Sequence, residues 1–484
     1  MSCTGTESGT LVSFAYLPEA VCGTTPALTS VATVAASQTG GVSKFTRASG
    51  SWVSDGFAVE MYVLTAGFAA NNNGYWKVIG VSGSDLVVQD TAVAMSTEAS
   101  GGGKTCTIVF GTLRATTPRS MMVDREAIES DEVRPSRQIV DVRHGFSTVS
   151  GSFGAELALQ SQTTLIGLAL GGVWTKPTVL SAPSLAMAVA TPGVGKARIT
   201  RDAGSFLNEG FRLGDIINTT AFTSGANNKQ WQILAVTATT IDLADPSSVA
   251  VAQASGVGTI TYAGYRMDSK TDLRTMTIER RFNGITQYDV FRGVTVNELA
   301  FEIDPKGINK CTTTMLGMTA TAKTGTSVTT TGLAPAPQTG PLTSATAGIY
   351  EGATRQAYMT ALSMSISNNR TTEAVIGSAY TPAIFEGRVR VKGSATFMMA
   401  DATMSNKFWN ETLSSITLRL QDPTTATEFI ALTIPKVKYM TDSIDPPQES
   451  FVPITMDFVG LGTTVGDPGA VSVETSFTIQ VSSL

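Results

Sequence analysis

From Val149 to Leu157, apolar positions (Val149, Gly151, Phe153, Ala155, Leu157) alternate with Ser150, Ser152, Gly154 and Glu156. A period of two belongs to a strand with one buried face. The short apolar run Leu165 to Leu170 that follows predicts a short helix. The same order returns later: Val389, Val391, Gly393, Ala395 and Phe397 alternate with Arg390, Lys392, Ser394 and Thr396, and Asn406 to Leu413, with Phe408 and Trp409, replaces the apolar run. Gly151 and Gly393 fall in one register. Downstream, Gly293 to Leu299, then Ile303-Asp304-Pro305 to Met315, parallels Thr433 to Tyr439, then Ile444-Asp445-Pro446 to Met456. Each copy predicts strand, short helix, strand, strand, turn, strand, and a shared order over so long a span marks a duplication.

A second repeat lies inside the first copy. Thr46-Arg47, Gly50-Ser51-Trp52, Asp55-Gly56-Phe57 and Phe68 match Thr200-Arg201, Gly204-Ser205-Phe206, Glu209-Gly210-Phe211 and Phe222. After one inserted residue, Asn72-Asn73, Trp76, Val78, Val81, Leu86 and Val88 match Asn227-Asn228, Trp231, Ile233, Val236, Ile241 and Leu243. Short strands between Gly and Asn turns predict two compact all-β modules, 37–110 and 185–264. Both interrupt the first copy and the second copy has neither, so they are insertions that leave from exposed loops.

The organisation expected is therefore mainly β: an arm (1–36) belonging to the first large domain, module 1 (37–110), the first domain (111–184 and 265–318) interrupted by module 2 (185–264), a linker (319–345) and the second large domain (346–484). The arm packs either on a neighbouring molecule or as a peripheral strand of its own domain. The segment 471–481 alternates cleanly and predicts a final strand.

The 484 residues exceed one ordinary core. Charged residues make up 15% and the net charge is -5, so no basic face announces a grip on nucleic acid. The start of the chain shows no basic-then-apolar signal pattern, and no run approaches the ~18 apolar residues that span a bilayer. Cys3, Cys22, Cys106 and Cys311 are scattered without C-x-x-C, which fits a reducing cytoplasm and neither a disulfide framework nor a zinc site.

Candidate chemistry is sparse. The single histidine, His144, has no ligand cluster beside it and no G-x-S-x-G elbow accompanies it, so a structural hydrogen-bonding role is expected. Gly101-Gly102-Gly103-Lys104-Thr105 ends like a phosphate loop, but Glu98 stands where glycine is needed and a strand follows, so a hairpin turn is expected. The sequons at Asn218, Asn369 and Asn410 are chance in a Thr-rich chain, and Asp131-Glu132, adjacent on the chain, do not form a facing acid pair. No enzyme, cofactor or metal site is expected.

The stretch Glu129 to Ile139, then Asp141-Val142-Arg143-His144-Gly145 and Val149 to Phe153, resembles the major tail tube protein of long, non-contractile-tailed bacteriophages. The likeness continues in Thr277 to Arg280, Tyr288 to Gly293, Asn406 to Thr412 and Pro435 to Tyr439. It covers the arm and both large copies, and the chain departs from it by carrying the two modules. The resemblance implies two tandem tube-type β-sandwich domains, each flanked by a short helix, in rings stacked as the conduit for genome ejection. It places the protein in the virion tail, assembled in the bacterial host cytoplasm. The implied partners are further copies of the chain, other tail proteins at the tube ends, and double-stranded DNA passing without specific binding; no membrane is implied. Six sandwiches to a ring would need three of these duplicated chains, or six if the second copy is an outer layer. A DNA conduit should be uncharged or acidic inside, because cations on phosphate add drag. Within Glu126 to Arg143, the arginines Arg134, Arg137 and Arg143 suit pairing with a neighbour's carboxylates and are the expected contacts between subunits. The rival reading is an adhesin whose modules bind glycan, with Trp76 and Trp231 as stacking residues; their position between hydrophobics favours a core role instead.

Overall fold

The computed structural model describes residues 11–484 apart from 40–41, 70, 90–94, 133–137, 140, 177–179, 190–195, 246, 248, 271, 357 and 466–472. The chain is mainly β. The alternation around Gly151 becomes the strand Val142–Glu156, with Val149, Phe153 and Ala155 buried. Its counterpart is Arg390–Met398, with Val391, Ala395 and Phe397 buried. The two glycines share a register for one reason. A Cβ on Gly151 would lie 2.5 Å from the Ser120 carbonyl oxygen, and one on Gly393 2.4 Å from that of Ser363, so each lets the neighbouring backbone close in.

These strands belong to one antiparallel sheet that runs through both copies. Its order is Thr116–Glu129, Val142–Glu156, Lys310–Gly317, Gln287–Ile303, Met359–Ser367, Arg390–Met398, Pro453–Gly460, Phe429–Tyr439. The first four come from the first copy and the last four from the second. The joint between the copies is itself a ladder, from Glu298 opposite Ser367 to Ile303 opposite Leu362. This sheet is called the wall below.

Gln287–Ile303 is too long for one layer. Its first half pairs with Met276–Phe282 and Thr319–Thr324 in an outer sheet, and its second half joins the wall. The change falls at Gly293, whose φ of 64° accompanies a break in register between Met276 and Ile278. Phe429–Tyr439 crosses between layers in the same way beside Pro435, pairing first with Ser414–Gln421 and Thr478–Val481. Between the layers lies one apolar core shared by both copies, which takes in α1 (Thr163–Leu170) and the start of α2 (Thr403–Trp409).

The arm supplies Val12–Pro18, which pairs with Met276–Phe282 and so lies in its own domain, one of the two placements expected. Two expectations change. The stretch 319–345 is more than a linker: Thr319–Thr324 is a strand, Leu333–Ala334 pairs in parallel with Glu98–Thr112, and Leu342 is buried. Ladder bonds use backbone groups only, so a Thr-rich edge strand shows little apolar signal. Finally, Met315 stands opposite Gly151 and Phe458 opposite Gly393, so the counterpart of Met315 is Phe458 and not Met456. A slip of two residues keeps every side chain on its own face, and pattern matching does not detect it.

Each insertion is a closed barrel of the same topology. The first runs Ser30–Thr39, Val42–Arg47, Asp85–Val88, Gly74–Val81, Tyr62–Ala66, Glu98–Thr112 and back to the start. The second runs Leu180–Val189, Lys196–Arg201, Thr240–Ala244, Gln230–Val236, Ile216–Thr220, Gln253–Tyr262. Their interiors match atom for atom. Trp76 Nε1 donates to Thr65 Oγ1 at 3.0 Å and Trp231 Nε1 to Thr219 Oγ1 at 2.9 Å. Asn73 Oδ1 accepts from the Phe68 amide, and Asn228 Oδ1 from that of Phe222. Trp76 and Trp231 are core residues, 3% and 1% exposed, and offer no ring face to a ligand. Closure leaves the barrels without sheet edges.

Candidate functional site

One face of the wall packs on the core; the other is concave and open, with a hollow of about 700 Å³. Its lining comes from the alternate positions of the wall strands: Glu302, Lys310, Thr312, Ser363, Ser365, Lys392, Ser394 and Asp457. Hydroxyls dominate, and the charges are of both signs. Glu302 stands directly opposite Lys310 in the ladder, an arrangement that favours cross-strand attraction. The lining of the hollow is thus polar, with two acidic and two basic side chains. Among the described residues no group of three or more His, Cys, Asp or Glu is placed to hold a metal ion. His144 is exposed near the start of Val142–Glu156, opposite Ala127 in the ladder. Gly101 to Lys104 is not a hairpin turn but the irregular half of Glu98–Thr112, where the ladder to Ser30–Thr39 shifts twice; Lys104 pairs there with Glu98 at 3.1 Å.

Among the described residues the wall ends in two open edges. Thr116–Glu129 pairs there on one side only, with Val142–Glu156. At the opposite end, Val437 to Tyr439 and Ser443–Ile444 pair with Pro453–Gly460, and their outer side is free among the described residues from Lys438 onward. Unpaired amides and carbonyls on a strand edge are a template for another strand.

Of the expected contact residues, Arg134 and Arg137 lie outside the described residues. Arg143 is described: its side chain is 81% exposed and its Nε donates to Asp141 Oδ2 at 2.6 Å, within its own hairpin. An ion pair so exposed adds little to stability.

The joint between the copies depends on residues the sequence did not single out. Arg370 Nη1 donates to the carbonyl oxygens of Val296 (2.6 Å) and Leu168 (3.2 Å) and to Thr295 Oγ1 (2.7 Å), and Nη2 meets Glu386 at 3.3 Å. Asn368 Nδ2 donates to the carbonyl oxygens of Ala169 and Val296. Leu168 and Ala169 are in the last turn of α1, whose carbonyls have no partner within the helix, so a cation from the second copy caps a helix of the first. Burial lowers the pKa of Arg370 and the nearby Glu386 opposes this. Asn368-Asn369-Arg370 reads as one more polar turn, and nothing in its pattern marks it as buried.

A second buried cluster fastens the first barrel to α1. Arg274 Nη1 donates to Glu60 Oε1 at 3.1 Å, and Lys77 Nζ donates to Thr163 Oγ1. Burial pulls the Lys77 amine down to about 8, against the attraction of Glu60, and raises the Glu60 carboxyl in spite of Arg274 and Lys77.

No curated protein matches the chain. The model of the family described as phage tail tube protein matches residues 9–479. Because that match takes in both copies of the wall and both barrels, the chain as a whole belongs to the phage tail tube family, whose members are structural proteins and not enzymes.

Proposed function

We propose that three chains close the wall into a ring, and that stacked rings form the tail tube of a non-contractile-tailed phage, through which the genome leaves. The pair of open edges carries this reading, because the joint inside the chain is a template for joining them. Met121 faces Gly151 as Met364 faces Gly393, so Thr116–Glu129 corresponds to Met359–Ser367. Val296 faces Met315 as Tyr439 faces Phe458, so the free edge beyond Tyr439 corresponds to the part of Gln287–Ile303 that makes the joint. Phe301 opposite Met364 in the joint then becomes Ile444 of one chain opposite Met121 of the next, and Glu298 opposite Ser367 becomes Thr441 opposite Asp124.

Two wall units per chain give a ring with threefold symmetry and near-sixfold geometry, a closed heterologous assembly. The concave face would line the bore. Its hydroxyls and balanced charges offer DNA a polar surface without a strip of cations, which suits passage over binding. Arg134, Arg137 and Arg143 are the proposed contacts to neighbouring subunits or rings. Other tail proteins would meet the tube ends. Helical reconstruction, or mass per unit length of the purified tubes, tests the ring: three chains per ring are expected, and six would overturn the trimer.

A further inference from the structure

The two helices differ in cover. Every residue of α1 is buried, whereas in α2 only Met404 and Ser405 are. Trp409 at the end of α2 is 73% exposed and Leu413 just beyond it 51%. Every other tryptophan is buried: Trp52, Trp76, Trp174 and Trp231 are at most 3% exposed. In the first copy, the C-terminal end of the helix is covered by the segment that leaves Met359–Ser367, through Asn368 and Arg370. That segment goes on to reach the wall strand beside it, where the Ser147 amide donates to the Ala379 carbonyl at 2.8 Å.

The strand corresponding to Met359–Ser367 is Thr116–Glu129, and what leaves its wall portion is the arm formed by residues 125–129 and 142–146. This arm stands clear of its own domain with apolar side chains in solvent: Ile128 is 53% and Val142 51% exposed. In the ladder Ile128 stands opposite Arg143, so these two share one face of the arm and Val142 points from the other. The Ile128 face and the exposed Trp and Leu at the other end of the chain are matching surfaces for a contact between copies.

Resting on the ring reading, we propose that the arm of the next copy lies across α2, with Ile128 covering Trp409 and Leu413. The occupant is a second copy of this chain, because the intramolecular joint already shows which segment covers a helix end at this place.

Iodide quenching of tryptophan fluorescence tests this on the full chain. Unassembled protein should contain one readily quenched tryptophan, absent in Trp409→Phe; in assembled tubes that component should become protected and the emission should shift to shorter wavelength. The variant Ile128→Asp, altered only at an exposed position, should keep the circular dichroism of the wild type and assemble at least tenfold less readily. Wild-type rings in which Trp409 is quenched as before would overturn the contact and leave the ring reading standing. So would an Ile128→Asp variant that assembles as readily as the wild type with Trp409 protected. If no rings form at all, the ring reading fails and the contact falls with it.

Discussion

The first copy of the wall and the second are built from the same elements in the same order, yet one is finished within the chain and the other is not. In the first, the strand Gln287–Ile303 has partners on both sides and α1 is capped by Arg370 and Asn368. In the second, the corresponding edge from Lys438 to Ile444 is open and α2 ends in an exposed tryptophan. The difference lies in which neighbours the chain supplies to itself. A duplicated unit placed head to tail satisfies one junction internally and leaves the two halves of that junction at its ends, the condition on which the proposed heterologous ring rests.

The comparison can be broken from the open side first. Proline at both Ser443 and Ile444 removes the outward amide from an edge that is already short, together with one ladder amide facing Pro453–Gly460. Ring and tube formation should be lost, with a monodisperse single chain seen by light scattering. Assembly at wild-type levels would mean that this edge is not the junction.

Breaking the closed side is an effect on stability. Arg370→Ala leaves the Leu168 and Val296 carbonyls and the Thr295 hydroxyl short of a donor in a buried site. A loss of about 2–4 kcal/mol is expected in chemical denaturation, the scale for removing one partner from a buried charged network. A loss below about 1 kcal/mol would show that the joint holds through its ladder alone.

The smallest effect concerns the remaining cover of α1, which α2 lacks altogether. Lys77 titrates near 8 in the folded protein, below its ordinary 10.5. Between those values the unfolded chain binds more protons, so this group makes stability rise with pH from about 8 to about 10.5, and its cost is present in full below 8. Lys77→Met should remove that rise. The difference in Tm between wild type and variant, followed across the window, isolates Lys77 from the tyrosines that titrate near its upper end; a difference that does not vary with pH would contradict the buried charge.

Much of this was legible in one dimension. Alternation located Val142–Glu156 and Arg390–Met398, the spacing of Trp76 and Trp231 placed both in matching barrel cores, and the order of elements revealed the duplication. These features report the burial of side chains near one another along the chain, and burial leaves a periodic mark on residue type. Pairing leaves no such mark. The ladder from Glu298 opposite Ser367, the strand at Thr319–Thr324, the register of Phe458 and the open edges all rest on backbone groups that every residue except proline carries in the same form. Arg370 shows the same limit for side chains: the helix carbonyl it caps, that of Leu168, lies 202 positions away in sequence, and only the folded chain brings a polar turn of one copy to the helix end of the other.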